Sequence, residues 1–150
     1  MRIRSATSND LAAIENLLEA SDLPREGVKE NLSRFIVAED GNELAGAIGL
    51  EKFGFSALLR SAVVSPRHRG TGVGRRLVEE LLGRAGEAGV EQIYLLTTTA
   101  ENYFPRFGFT RTTRALVPDA VKASVEFQGA CPDTAIVMTR RVGVPSEVPA

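Results

Sequence analysis

The chain has little of what disulfide-stabilised, membrane-spanning or nucleic-acid-binding proteins need. Its single cysteine, Cys131, excludes an internal disulfide framework and suits a reducing cytoplasm. No apolar run approaches the roughly 20 residues of a membrane helix, and the first residues lack the apolar region of a signal peptide. The net charge is −1, so no global basic field attracts nucleic acid or an anionic membrane. His68 is the only histidine, and we therefore expect no metal site.

What remains is the composition of one globular domain. Of its 150 residues, 43% are hydrophobic and 25% are charged. Helix-spaced and strand-like apolar patterns follow one another in the order β-α-α-β-β-β-α-β-α-β-(α)-β. This order predicts an α/β (α+β) fold with a mixed central sheet of about six or seven strands flanked by helices. We expect the domain to cover residues 1–140, with a disordered tail over 141–150.

The individual elements are predicted from periodicity and from turn residues. The strands are expected at residues 1–6, 35–39, 43–51, 57–64, 90–97, 109–113 and 134–140. The helices are expected at 8–20, 25–33, 73–88 and 100–107, with a further turn or two near 118–124. Asp40-Gly41-Asn42 between two strands indicates a hairpin turn.

A glycine-rich loop over residues 65–74 is the most informative segment. An apolar β-branched run stops at Pro66, glycines follow at positions 70, 72 and 74, and a helix then begins. Glycines let backbone N–H groups approach a ligand closely, and the helix N-terminus adds a partial positive charge. The neighbouring arginines supply bidentate donors for phosphate oxygens. The loop therefore predicts a site for a phosphorylated anion.

Two common phosphate-binding loops do not fit this segment. A Walker A loop requires Lys-Ser or Lys-Thr after its last glycine, whereas Gly74 is followed by Arg75-Arg76. A Rossmann fingerprint requires Gly-x-Gly-x-x-Gly and an acid after the next strand, but that strand ends in Thr97-Thr98-Thr99. A third pattern, Arg/Gln-x-x-Gly-x-Gly/Ala, is met by Arg67, Gly70 and Gly72.

Three motifs in a fixed order carry a family resemblance. They are Arg-x-Ala-Thr-x-x-Asp over residues 4–10, the glycine-rich segment over residues 64–74, and the pair Gly108-Phe109. Together they resemble the GNAT superfamily of acetyl-CoA-dependent N-acetyltransferases across residues 1–140. Residues 95–109 further resemble amino-acid N-acetyltransferases of the N-acetylglutamate synthase kind. Residues 58–61 with Glu126-Phe127 and Cys131-Pro132 resemble acetyltransferases named for arsenic-resistance operons.

The resemblance implies acetyl-CoA as co-substrate and a defined set of cofactor contacts. Backbone N–H groups of the loop would hold the pyrophosphate, and the end of the preceding strand would pair with the pantetheine arm and splay from residues 90–97. Thr97 stands where the family has a cofactor-contacting asparagine. The implied cofactor-binding residues are Ala62, Val63, Val64, Arg67, His68, Arg69, Gly70, Thr71, Gly72, Val73, Gly74, Arg75 and Thr97.

The resemblance also implies direct attack of an amine on the thioester in a ternary complex. The family's general acid is a tyrosine four residues before the glycine of Gly-Phe, but this chain has Phe104 there. The adjacent Tyr103 is our candidate for the acid, and ordinary packing is the alternative. Glu51 is our preferred general base, with a solvated hairpin glutamate as the alternative.

The acceptor is predicted to be a small amine, an amino acid or an amino-acid analogue. Arg60 interrupts an apolar strand and needs an anionic partner, either an acceptor carboxylate or an internal glutamate. Glu126 is a second candidate at the acceptor site. Acetylation of a protein or peptide, or a non-catalytic acyl-CoA sensor, remains as an alternative. We expect no nucleic-acid or membrane partner, and a homodimer is implied by the resemblance alone.

Overall fold

The computed structural model describes residues 1–132 and 134–142, and these residues form a mixed α/β structure. The described strands are β1 (Arg2–Ser5), β2 (Phe35–Asp40), β3 (Glu43–Phe53), β4 (Ser56–Val64), β5 (Gln92–Thr97), β6 (Thr110–Thr112) and β7 (Ile136–Arg141). The described α-helices are α1 (Leu11–Ala20), α2 (Val73–Glu87) and α3 (Asp119–Lys122). The strands form one sheet in the order β1-β2-β3-β4-β5-β7-β6. The predicted fold class is therefore confirmed. Of the predicted tail, Arg141 belongs to β7, and residues 143–150 lie outside the described residues.

The Cα positions divide the chain into two compact units. The first unit contains residues 1–50 and 60–81, and the second contains residues 51–59 and those from Leu82 onward. In the first unit β1 pairs antiparallel with β2, and β2 with β3, through a two-residue turn at Gly41-Asn42. Gly41 has φ +63°, a conformation that glycine adopts without steric cost, which confirms the predicted hairpin.

The core of the first unit lies between α1 and the sheet. Thr7 donates its backbone N–H to the Asp10 carboxylate at 2.7 Å, and this capping contact marks the start of the helical segment. The apolar stripe of α1 then packs onto β2 and β3. The buried members of this cluster are Ile14, Leu18, Val28, Phe35, Val37, Ala47 and Val63.

The second unit is built around β5 and β7. These strands pair antiparallel over all six residues of each, and β7 also pairs with β6. β4 and β5 pair in parallel at only three positions, Ser56–Leu58 against Gln92–Tyr94. The apolar cluster of this unit comprises Leu58, Tyr94, Val117, Val121 and Val137, with Phe53, Leu96 and Phe127 against it.

Several predicted boundaries are wrong. The predicted helix at 25–33 is a 3-10 helix over Lys29–Arg34, because the chain turns at Gly27, which has φ +86°. The predicted helix at 100–107 is a turn followed by a 3-10 helix over Phe104–Phe107, where Pro105 occupies the first turn and lacks an N–H donor. β5 begins two residues later than predicted. A helical turn that begins at Glu126 and is broken by non-helical backbone at Gln128 and Gly129 was not predicted.

Candidate functional site

The second half of β4 is the first component of the site. The register between β4 and β5 ends at Leu58, and β4 continues for six further residues to Val64. Ser61 has φ +59°, a left-handed conformation that is uncommon for a residue other than glycine. Ser61 is also 8% exposed, so this irregular backbone is buried. The sequence contains no signal for it, because serine in an apolar strand predicts regular extended backbone.

The glycine-rich loop is the second component. It begins where the Ser65 N–H donates to the Ala45 carbonyl at 2.8 Å, and it ends at the start of α2. Gly70 has φ +79° and Gly72 has φ +87°, and a Cβ atom on either would meet nothing within 4 Å. Glycine is therefore required by the backbone at both positions, and the space beside them is open. A ligand can thus approach the main chain closely.

The N-terminus of α2 is the third component. Arg76 donates its N–H to the Gly72 carbonyl at 3.1 Å, which is the first hydrogen bond of the helical series. In an α-helix the N–H groups of the first turn have no intrahelical acceptor, and the helix dipole places partial positive charge there. The three N–H groups of Val73, Gly74 and Arg75 therefore favour an anion at this end of α2.

The loop arginines differ in their partners. Arg67 makes two hydrogen bonds to Glu43, at 3.1 and 2.9 Å, and Arg75 lies 3.5 Å from Glu79. Arg69 donates to the Val64 carbonyl at 3.4 Å. The side chains of Arg67 and Glu43 are 77% and 46% exposed, and an ion pair in water contributes about 0–1 kcal/mol. A polyphosphate can therefore compete with Glu43 for Arg67.

His68 is the buried side chain of the loop. It is 8% exposed, and its Nε2 lies 2.9 Å from Oδ2 of Asp40. The hydrogen bond from His68 holds the pKa of the Asp40 carboxyl below its usual range. His68 Nδ1 is buried and has no hydrogen-bond partner among the described residues. Sequence reasoning missed Asp40 as the partner, although it sits beside the hairpin turn.

Arg60 has partners from the protein itself. It lies on β4 and is 2% exposed; its Nη2 donates to the Glu26 carbonyl at 2.6 Å, and its Nε donates to Ser61 Oγ at 3.0 Å. A buried guanidinium needs such acceptors. These two hydrogen bonds satisfy part of the need of Arg60 for acceptors within the protein. Binding of an acceptor carboxylate by Arg60 therefore stays a prediction.

The remaining predicted site residues lie in the second unit. Glu51 on β3 is 6% exposed, so the alternative of a solvated hairpin glutamate is wrong. Thr97 at the end of β5 is 9% exposed, and its hydroxyl accepts the Ala100 N–H at 2.8 Å. Glu126 is 4% exposed and begins the helical turn that breaks at Gln128. Both candidate carboxylates are therefore buried.

Tyr103 belongs to a cluster of aromatic rings. Its ring meets those of Phe104 and Phe107 edge-on, with centroids 5.4 and 5.3 Å apart. The Arg106 guanidinium lies 5.5 Å from the Tyr103 ring centroid. Tyr103 is half-buried, whereas Phe104 is 6% exposed. The tyrosine at the neighbouring position is therefore the more accessible of the two.

Neither a metal-binding cluster nor a membrane-spanning helix is present among the residues that the structure describes. Residues 1–132 and 134–142 contain no group of three or more histidine, cysteine or acidic side chains that could hold a metal ion. No helix in the same residues is long and apolar enough to cross a membrane.

A glycine-rich loop between a sheet strand and a helix N-terminus defines the class of α/β proteins that bind a phosphorylated ligand through main-chain N–H groups. The family model described as an acetyltransferase (GNAT) domain matches residues 31–111, which include β2 to β5, the loop and α2. The chain belongs to this family. The resemblance inferred from the sequence motifs is thereby confirmed.

Curated relatives are longer proteins. An amino-acid acetyltransferase from Ralstonia nicotianae is 29% identical over 126 residues, which cover 78% of this chain and 28% of the relative. An amino-acid acetyltransferase from Escherichia coli K12 is 25% identical over 136 residues, which cover 85% of this chain and 31% of the relative. The chain thus spans about a third of the length of the curated relatives it matches.

Solved structures share the fold. N-acetylglutamate synthase from Neisseria gonorrhoeae, complexed with coenzyme A and N-acetyl-glutamate, has a TM-score of 0.81 at 24% identity. The match covers 94% of this chain and 35% of that one. Rv2747 from Mycobacterium tuberculosis, in complex with CoA and NLQ, has a TM-score of 0.80 at 22% identity. The match covers 95% of this chain and 99% of that one. The predicted single-domain fold of this family is therefore confirmed.

Proposed function

We propose that the chain is an acetyl-CoA-dependent N-acetyltransferase domain whose acceptor is a small amine, an amino acid or an amino-acid analogue. The observation that carries the proposal is the loop. Gly70 and Gly72 hold positive φ beside open space, directly before the N-terminus of α2. The solved relatives named above were crystallised with coenzyme A, and the curated relatives are called amino-acid acetyltransferases. The loop geometry and the ligands and names of these relatives all support acetyl-CoA as the ligand.

The described geometry fits the parts of acetyl-CoA. The N–H groups at the start of α2 and of the loop would bind the pyrophosphate, and Arg67 would exchange Glu43 for phosphate oxygens. Beyond Leu58, β4 has left its register with β5, so its backbone over Ala62–Val64 can pair with the amide groups of pantetheine. All these groups belong to the first unit.

The reaction would consist of three chemical events that the chain must assist. The acceptor ammonium must lose a proton, the amine nitrogen must form a bond to the thioester carbon, and the leaving thiolate must gain a proton as the carbon–sulfur bond breaks. We assign the first proton transfer to the buried carboxylate of Glu51. We assign the last to the hydroxyl of Tyr103, since Phe104 has no proton to donate. Arg60 and Glu126 remain our candidates for contacts with the acceptor.

The first experiment measures thiol release from acetyl-CoA with a panel of acceptors. The panel contains the standard amino acids, glutamate analogues with phosphinic or arsonic side groups, polyamines and short peptides. Turnover with an amino acid would support the proposal, and the arsonic analogues test the narrower resemblance to arsenic-resistance acetyltransferases. Turnover with peptides alone would contradict the small-molecule acceptor.

Gly72→Asp tests the loop itself. The substitution places a side chain at φ +87° and a negative charge where the pyrophosphate would lie. We expect acetyl-CoA affinity to fall at least about 100-fold, since lost backbone contacts and charge repulsion together exceed about 2.7 kcal/mol. The matched control is Gly83→Ala within α2, where a Cβ meets nothing within 4 Å and φ is helical. Equal affinity of Gly72→Asp and wild type would refute the assignment.

Paired variants separate the catalytic assignments. We expect Glu51→Gln and Tyr103→Phe each to lower kcat by about 100-fold while leaving acetyl-CoA affinity within about twofold. Unchanged kcat in either variant would remove that residue from the mechanism. The substitution Phe104→Tyr restores the family residue at a position that is 6% exposed.

A non-catalytic acyl-CoA sensor is the second candidate, and Phe104 is the observation that favours it. Such a protein would bind acetyl-CoA with no thiol release for any acceptor of the panel. Gain of turnover in Phe104→Tyr would then show that the missing tyrosine hydroxyl was the cause of the lack of activity.

A further inference from the structure

The glycine-rich loop is attached to the turn between β2 and β3 by two side-chain contacts. Asp40 and Glu43 flank the two-residue turn and face each other in register. Asp40 accepts from His68 at 2.9 Å, and Glu43 accepts from Arg67 at 2.9 and 3.1 Å. Glu43 also lies 3.8 Å from His68 Nε2. A single turn of the sheet thus contacts two consecutive residues of the loop.

The two contacts differ in their ability to hold the loop in place. Arg67 and Glu43 are both solvent-exposed, and such pairs contribute little and rearrange readily. The His68 side chain is only 9% exposed, so it cannot leave its site without uncovering buried surface. Hydrogen bonds to a charged acceptor are also stronger than those between neutral groups. The Asp40 side chain is itself 53% exposed, so it is the burial of the imidazole that makes the contact between His68 and Asp40 the stronger of the two restraints on the loop.

The backbone of His68 connects this restraint to both halves of the loop. Its N–H donates to the Ser65 carbonyl at 2.9 Å, and its carbonyl accepts from the Thr71 hydroxyl. Between these contacts the chain passes through Gly70, whose positive φ lets the backbone turn. Fixing the imidazole therefore fixes the segment that leads from the end of β4 to the N-terminus of α2.

We propose that His68 is a positioning residue, which acts through Asp40 to hold the loop N–H groups in the geometry that binds a pyrophosphate. The proposal rests on the function proposed above. It gives the histidine a role other than that of a base or a cofactor-contacting side chain. Its Nε2 is engaged with Asp40, and its Nδ1 is buried without a partner among the described residues. The turn of the β2–β3 hairpin thereby becomes part of the cofactor site without touching the cofactor.

Three substitutions at position 68 separate positioning from bulk packing. His68→Gln keeps an amide N–H near the position of Nε2, whereas His68→Asn places its amide near Nδ1, too far from Asp40. His68→Ala removes both the donor and the ring. We expect the Kd and KM for acetyl-CoA to rise about tenfold in His68→Asn and His68→Ala and less than threefold in His68→Gln. At saturating acetyl-CoA, kcat should stay within twofold of wild type in all three.

A double-mutant cycle tests whether His68 acts through Asp40. Asp40→Ala should raise the Kd about as much as His68→Ala, and the double variant should be no weaker than either single variant. Asp119→Ala is the matched control, because Asp119 is a fully exposed carboxylate of the other unit. Additive effects, equal Kd values for the Gln and Asn variants, or wild-type affinity in His68→Ala would each overturn the proposal.

Hydrogen exchange distinguishes a failure of this proposal from a failure of the proposed function. In the ligand-free protein we expect the amides of residues 67–72 to exchange at least tenfold faster in His68→Asn than in His68→Gln, with α1 unchanged. If the wild type bound no acetyl-CoA, the proposed function would fail, and this exchange difference would still support the restraint of the loop by His68. Equal exchange in both variants would overturn the restraint whatever the wild type binds.

Discussion

Gly46→Ala should destabilise the protein and disturb the cofactor site together. Gly46 is buried in β3, and a Cβ there would lie 2.7 Å from the Val63 carbonyl oxygen, against 3.4 Å for ordinary van der Waals contact. The same Cβ would lie 3.0 Å from Leu77 and 3.3 Å from Val73. The side chains can rotate, but the carbonyl belongs to β4 backbone and cannot. Relief therefore requires β4 to shift at Val63, in the stretch assigned to pantetheine.

The expected cost follows from overpacking. Forcing one extra methyl group into a filled interior typically costs about 1–3 kcal/mol. For a domain of this size that corresponds to a decrease in Tm of roughly 2–12 °C. Urea unfolding followed by circular dichroism should show a lower midpoint at unchanged m-value. Because β4 moves, acetyl-CoA affinity should also fall by at least about threefold.

The same substitution elsewhere provides the control. Gly83 lies within α2, its φ is helical, and a Cβ there meets nothing within 4 Å. Gly83→Ala should therefore stabilise the protein by about 0.5–1 kcal/mol, because alanine loses less backbone entropy in a helix. Unchanged or increased stability in Gly46→Ala would refute the reasoning, as would lowered stability with unaltered acetyl-CoA binding.

Two further predictions concern packing and charge in the first unit. A Cβ at Gly49 would lie 2.3 Å from the Phe35 ring, so Gly49→Ala should cost about 1–3 kcal/mol in urea unfolding, and Phe35→Leu should recover part of that loss. Arg4 donates two hydrogen bonds to Asp10, at 2.8 and 3.0 Å, and lowers the pKa of that carboxyl. The unfolded chain therefore takes up this proton at higher pH, and the stabilisation is fully present above the ordinary pKa of 3.8 and lost below it. The stability difference between wild type and Asp10→Asn should shrink as the pH falls from 5 to 3, and a difference independent of pH would contradict the assignment.

Sequence patterns correctly predicted the helices and turns that are specified by residues close together in the chain. The apolar stripe of α2, including Val73, Leu77 and Leu81, is buried as helical periodicity requires. The hairpin at Gly41 was equally predictable, because a two-residue turn of this kind needs glycine or asparagine for its backbone. The position of the phosphate loop belongs to the same group, since its glycines and the following helix lie within one short stretch.

Contacts between distant residues could not be predicted in this way. Arg60 was expected to need an anionic partner, and the structure adds a hydrogen bond that no sequence pattern indicated, from Arg60 to the carbonyl of Glu26, 34 residues away. His68 was expected to contact a cofactor through its backbone, and its ring is hydrogen-bonded to Asp40. Nothing in the neighbourhood of either residue in the sequence indicates the partner. Such pairs form only once the sheet has brought the elements together.

The sequence by itself determined the family, the order of the elements and the place of the phosphate loop, because periodicity, glycine spacing and helix capping act within about ten residues. Only the tertiary structure decided that β7 lies between β5 and β6, that β4 leaves its register with β5 at Leu58, and that Ser61 adopts a left-handed conformation. It also decided that the ring of His68 is hydrogen-bonded to Asp40. The physical reason is that strand order, register and buried polar pairing depend on residues far apart in the chain, whose meeting carries no local signal.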